Sequence, residues 1–170
     1  MKFLREETMQ RDIFVAVLMG SKSDYEKVEP CIKLLSEKGV PYETRVLSAH
    51  RTPLQTREYV IDAEKRGAKV FICAAGMAAH LAGVVASYTT RPVIGIPISS
   101  GALNGVDALY STVMMPPGVP VATVAINGSQ NAGYLALQIV QDEIEGLEEK
   151  LKKDKEKMKE LVLEADASIK

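Results

Sequence analysis

The stretch "IFVAVLMGSKSDYE" runs from Ile13 to Glu26. Its first half is a continuous apolar run closed by Gly20, the pattern of a strand buried on both faces. Its second half turns small and polar at Ser21, Ser23 and Asp24. "SDYE" fits a capping box, with Ser23 at the N-cap and Glu26 three residues on. A buried strand that hands over directly to a helix start is the first half of a βαβ unit.

The alternation recurs downstream. "TRVLSA" (Thr44 to Ala49), "KVFICAAG" (Lys69 to Gly76), "RPVIGIPI" (Arg91 to Ile98) and "VPVATVAI" (Val119 to Ile126) read as four more strands, separated by segments of helical periodicity. "TPLQ" (Thr52 to Gln55) fits a second capping box, with Pro53 at the first helical position. Pro30 falls inside the first helical segment, where a bend is expected. This order predicts an α/β fold: a three-layer αβα sandwich, flavodoxin-like in outline, with a central parallel sheet and right-handed crossovers. The predicted α/β domain spans 13–140, and a helical extension follows over 141–170. The end of that extension is rich in Lys and Glu, with a weak apolar stripe at Met158, Leu161 and Val162. A solvated helix held by i,i+4 ion pairs and an arm lying on another subunit both fit this pattern.

A chain of 170 residues suits a single core. With 21 basic and 22 acidic residues, its net charge of −1 predicts no general affinity for nucleic acid or an anionic membrane. The N-terminal "MKFLREETMQRDIF" has no apolar core of the secretory kind, and no apolar run reaches the roughly 20 residues of a membrane span. A soluble, cytoplasmic protein is expected. Cys31 and Cys73 lack metal-site spacing and read as reduced core thiols.

In open parallel sheets, ligands bind outside the carboxyl ends of the strands. After the first strand, "GSKSD" offers the Ser21 and Ser23 hydroxyls and helix N–H groups. That is a phosphate cradle or simple helix capping; it matches neither the P-loop nor the dinucleotide fingerprint. Asp24 complements the helix dipole and is also an acceptor for ribose hydroxyls. After the second strand, Ser48 and Ala49 leave room for a ligand, and Arg51 is a permanent cationic fork for phosphate or carboxylate. His50 is of the one side-chain type that exchanges protons near neutrality when unperturbed. A proton carrier and a surface histidine without a role both remain open from these residues alone. After the third strand, "AAGMAAHLAG" (Ala74 to Gly83) combines Gly76 and a row of alanines with His80. His80 is either a satisfied structural histidine or a second ring facing a small-residue site. Asp107, in the loop after the fourth strand, reads as structural.

Other chemistries fit poorly. Two isolated histidines without clustered carboxylates do not make a zinc site. The GxSxG elbow of a serine hydrolase is absent. A phosphorelay receiver needs an aspartate where this chain has "AAG". Flavin binding calls for flanking aromatics, which are 5% of the chain, with no Trp.

Taken together, "LMGSKSD", "LSAHRTP", "AAGMAAHLAG", "LNGVDALYSTVMMPPGVPVATVAI" and "NAGYLALQIV" resemble, in order and spacing, the catalytic subunit family of phosphoribosylaminoimidazole carboxylase, over about Ile13 to Val140. The family has two types. One isomerises N5-carboxyaminoimidazole ribonucleotide, and the other carboxylates aminoimidazole ribonucleotide directly with CO2. Arg51 and "AAHL" resemble the isomerising type. Met77, Ala82 and Met114 depart from residues common in the family, and Ala82 is expected to loosen a loop shaping the CO2 site. The resemblance implies an ATP-independent mutase of de novo purine biosynthesis, with no metal or organic cofactor and a small-molecule substrate. It implies His50 as the general acid and base, Ser21, Ser23, Ser48 and Arg51 on the phosphate, and Asp24 on the ribose. Ala49, Gly76, Ala79, His80 and Leu81 would wall the CO2 site. It also implies a homo-octamer, with the C-terminal extension packing on a neighbouring subunit.

Overall fold

The computed structural model describes residues 13–169; the N-terminal stretch read for a secretory signal lies almost wholly outside them. Five strands form one sheet in the order β2-β1-β3-β4-β5, every neighbouring pair parallel. They are β1 (Phe14–Met19), β2 (Tyr42–Val46), β3 (Ala68–Gly76), β4 (Val93–Ile98) and β5 (Ala122–Thr123). The helices are α1 (Tyr25–Lys38), α2 (Pro53–Arg66), α3 (Leu81–Ala86), α4 (Val106–Val113), α5 (Ser129–Val140) and α6 (Leu147–Ile169).

The predicted three-layer architecture is present. One face of the sheet, through Val15, Val17, Met19 and Ile72, packs on α1 and α5. The opposite face, through Ala16, Leu18, Phe71 and Cys73, packs on α2 and α3. Every residue of β1 and β4 is buried, which is why these strands carry unbroken apolar runs rather than alternating ones. Cys31 and Cys73 are both buried core thiols, and burial pushes the Cys31 thiol up to about 12.

Four local expectations are corrected. β2 begins and ends earlier than Thr44 to Ala49, because Leu47 donates its last ladder bond to Met19 and the chain then turns at Ser48. As an edge strand, β2 is also largely exposed. At the other edge, only Ala122–Thr123 of Val119 to Ile126 pair with β4. α1 is not capped by Ser23: Ser21 caps a short 3-10 turn over Lys22–Asp24, its hydroxyl accepting from the Ser23 N–H at 3.3 Å. Thr52 does precede α2, with Pro53 first, but its hydroxyl accepts from the Ser48 N–H at 2.9 Å instead of capping the helix. Pro30 lies within α1, which continues across it as a single helix. The carbonyl that Pro30 leaves without its N–H is that of Glu26, on an exposed turn of the helix.

The extension starts as part of the core. Leu147 and Leu151 are buried against the α1 and α5 layer. Lys38 pairs with Asp154 at 2.5 Å, and the Tyr134 hydroxyl donates to the same carboxylate at 3.1 Å. From Lys155 to Ile169 every residue of α6 is exposed.

Candidate active site

The strand order 2-1-3-4-5 reverses direction beside β1, so the loops after β1 and β3 diverge and leave a crevice at their carboxyl ends. An open cleft of about 450 Å³ occupies that place. Ser21, Ser23, Asp24, Ser48, Ala49, His50, Arg51, Gly76, His80 and Leu81 all line it. Ala79 does not. Its side chain is buried, because the turn after β3 directs Met77 and Ala78 to the cleft instead. Gly20, Ala75 and Ser100 are further lining residues that sequence reasoning missed. Ser100 comes from the loop after β4, and only the fold brings it beside Gly76.

One side of the cleft is built from short polar groups. The Ser23 hydroxyl donates to that of Ser21 at 2.9 Å. Ser48 accepts from the Arg51 backbone N–H at 3.2 Å and lies 3.4 Å from Arg51 Nε. Arg51 Nη2 donates to the Gly20 carbonyl at 2.9 Å, which ties the loop after β2 to the loop after β1. The guanidinium thus stands between two hydroxyl-bearing loops, with donors to spare for an anion.

The two histidines meet. His50 Nε2 and His80 Nδ1 are 2.8 Å apart, with the rings edge-on at 85°. A hydrogen bond between two imidazole nitrogens needs one donor and one acceptor, so a neutral pair holds a single proton between these atoms. His80 therefore orients the His50 ring, and the tautomers of the two rings are coupled. Sequence reading put His80 in the wall; this contact could not be read from residues 30 positions apart.

Asp24 is half-buried beside the serines. Burial raises its carboxyl above the ordinary aspartate value, and the Ser21 backbone, Lys27, Ser23 and Arg51 offset that only in part. The folded state then keeps a proton that the unfolded chain has lost, so stability falls as pH rises through this window. The cost persists at neutral pH. Asp24→Asn is expected to melt higher than wild type at pH 7, the gap closing as the pH approaches 4. Thermal unfolding across that range checks the sign.

The departures noted in the sequence have distinct places. Met77, at the cleft rim, has φ 55, a left-handed conformation that costs a non-glycine residue roughly 1–2 kcal/mol. Ala82 is buried in the first turn of α3 rather than lining the cleft. A Cβ at Gly95 of β4 would stand 3.4 Å from its methyl group, so Ala82 belongs to the helix–sheet contact. Met114 follows α4 and is not part of the cleft. Asp107, outside the cleft, accepts from the Ala108 N–H through Oδ1 at 2.9 Å at the start of α4.

A family model described as AIR carboxylase matches residues 14–161. The N5-carboxyaminoimidazole ribonucleotide mutase of Saccharolobus solfataricus is 53% identical over 149 residues, covering 88% of this chain and 94% of its own length. The enzyme of the same name from Bacillus subtilis is 51% identical over 157 residues, covering 91% and 97%. The crystal structure of Treponema denticola PurE aligns with a TM-score of 0.83 at 29% identity, over 92% of this chain and 98% of that one. With the model spanning most of the chain and relatives matched over nearly their full length, the chain belongs to the AIR carboxylase family.

Proposed function

We propose that this chain isomerises N5-carboxyaminoimidazole ribonucleotide to 4-carboxyaminoimidazole ribonucleotide, without ATP, in de novo purine biosynthesis. The observation that carries the reading is His50, held by His80 at 2.8 Å, beside a Ser21, Ser23, Ser48 and Arg51 anion cradle in the same cleft. The roughly 50% identity to enzymes named for this reaction supports it.

The substrate phosphate sits among Ser21, Ser23, Ser48 and Arg51, and Asp24 accepts from the ribose hydroxyls. The reaction then proceeds in two halves. The exocyclic N–C bond breaks, CO2 leaves, and His50 delivers a proton to the nitrogen. Ring carbon C4 next attacks the CO2, a C–C bond forms, and His50 takes the proton from that carbon. One C–N bond is exchanged for one C–C bond and the proton account closes on His50, so the chemistry calls for no phosphoryl donor. Ala49, Ala75, Gly76, Ala78 and Leu81 leave space for the small CO2 molecule and few polar atoms to divert it. Holding it beside C4 converts a bimolecular recapture into a near-unimolecular one.

The protein works in the cytoplasm as a homo-octamer. Among the described residues no helix is long and apolar enough to cross a membrane. Leu103, Val106, Tyr110 and Met114 around α4 are exposed, as are Met158, Leu161 and Val162 on the projecting half of α6. These apolar surfaces suit burial against neighbouring subunits.

The test is purified protein supplied separately with N5-carboxyaminoimidazole ribonucleotide and with aminoimidazole ribonucleotide plus bicarbonate, following absorbance of the 4-carboxy product. Efficient turnover of the first is expected. Turnover of the second alone, at low bicarbonate, would make the chain a direct carboxylase.

A further inference from the structure

Lys27 lies on α1, one turn beyond Asp24, and does not line the cleft. Its Nζ donates to the Ser99 backbone carbonyl, joining α1 to the loop after β4. Asn127, between β5 and α5, holds the same residue from another side. The Ser99 N–H donates to Asn127 Oδ1 at 2.9 Å, and Asn127 Nδ2 donates to Ser99 Oγ at 2.7 Å. Asn127 is itself fixed, in left-handed backbone with φ 57 and with its N–H on the Pro97 carbonyl at 2.8 Å. Both backbone groups and the hydroxyl of Ser99 are therefore engaged, although the residue reaches no substrate-facing surface of its own.

What this clamp presents is the next residue. Ser100 lines the cleft, and its hydroxyl lies where a side chain on Gly76 would go: a Cβ there would come within 2.5 Å of Ser100 Oγ. Gly76 ends β3, and Asp24 stands at the start of α1. A single ammonium thus couples the helix that carries Asp24 to the peptide that carries Ser100. A lysine suits the task because its flexible four-carbon stem delivers a compact donor to one carbonyl.

We propose that Lys27 is a positioning residue for the isomerisation: by tying the Ser99 carbonyl to α1 it seats the Ser100 hydroxyl over Gly76 as a hydrogen-bonding group for the bound ribonucleotide. This rests on the reaction assigned to the cleft. Ser100 touches the substrate, and Lys27 acts through it. Losing the tie loosens substrate binding while the His50 chemistry continues.

The experiment is a double-mutant cycle between Lys27→Met and Ser100→Ala, with kcat and KM measured on N5-carboxyaminoimidazole ribonucleotide. Lys27→Met keeps the stem and removes the donor. Alone it should raise KM about 5- to 10-fold with kcat within about 2-fold, and Lys27→Arg should restore most of the loss. In the Ser100→Ala background the same change should have almost no further effect, because contacting residues that act as a unit are not additive. Should Lys27→Met not fold, Asn127→Ala releases the same peptide from its other side and takes its place in the cycle. Full additivity, or a Lys27→Met enzyme with wild-type KM, would overturn the proposal while the assigned reaction stands. A wild type with no turnover would overturn the reaction and the proposal together.

Discussion

His50→Asn is expected to lower kcat by roughly 10²- to 10⁴-fold while KM stays within a few-fold of wild type. Asparagine keeps a polar planar side chain but cannot exchange a proton near neutrality. In the proposed mechanism both halves of the reaction need that exchange, first toward the departing nitrogen and then away from C4. In the proposed binding mode the substrate is held by other groups that line the cleft: the Ser21 and Ser23 hydroxyls, Ser48, Arg51 and Asp24. The split between kcat and KM is therefore the informative readout. Steady-state kinetics, with substrate affinity measured by calorimetry on the inactive variant, tests it. Equal loss in affinity and turnover would mean that His50 binds the substrate rather than moving its protons.

Arg51→Ala should do the reverse. Charge-assisted hydrogen bonds contribute about 1.5–3 kcal/mol each, which corresponds to roughly 10- to 150-fold in affinity. A rise of about 10²-fold in KM is expected, with a smaller change in kcat. The arginine has a second task that adds to this loss. It bonds the Gly20 carbonyl at 2.9 Å and so holds the loop after β2 against the loop after β1. Removing it relaxes the distance between Ser48 and the Ser21–Ser23 pair. Arg51→Lys should recover part of the binding through charge alone, since an ammonium cannot span both the Gly20 carbonyl and a phosphate as a planar fork does. Unchanged KM in Arg51→Ala would remove the phosphate from this side of the cleft.

The fold was largely legible in the sequence because its central strands are buried on both faces. β1, β3 and β4 have continuous apolar runs whose limits lie close to the observed ones. The edge strands were less legible. β2 and β5 have no fully buried residue, so their ends are set by the ladder they join and by the turns that follow, as at Ser48 and Thr52. The site followed the same division. Residues at or just beyond the carboxyl end of a strand, such as Ser21, Ser48, His50, Arg51 and Gly76, could be placed in the cleft once the sheet was parallel. What needed the third dimension were contacts between loops: the His50–His80 pair, the Arg51–Gly20 tie, and Ser100 over Gly76. Ala79 failed for a local reason. Met77 adopts a left-handed conformation, and the tight turn that follows buries the second alanine rather than the first.

In the proposed mechanism a carboxyl group leaves nitrogen and returns to carbon inside one cleft. The direct measurement uses substrate carrying ¹³C in the N5-carboxyl group, incubated with the enzyme in ¹²C-bicarbonate buffer without ATP, and the product read by mass spectrometry. The expected product is 4-carboxyaminoimidazole ribonucleotide that retains the ¹³C through the first turnovers. Product carrying the isotope ratio of the buffer, or no product without ATP, would contradict it.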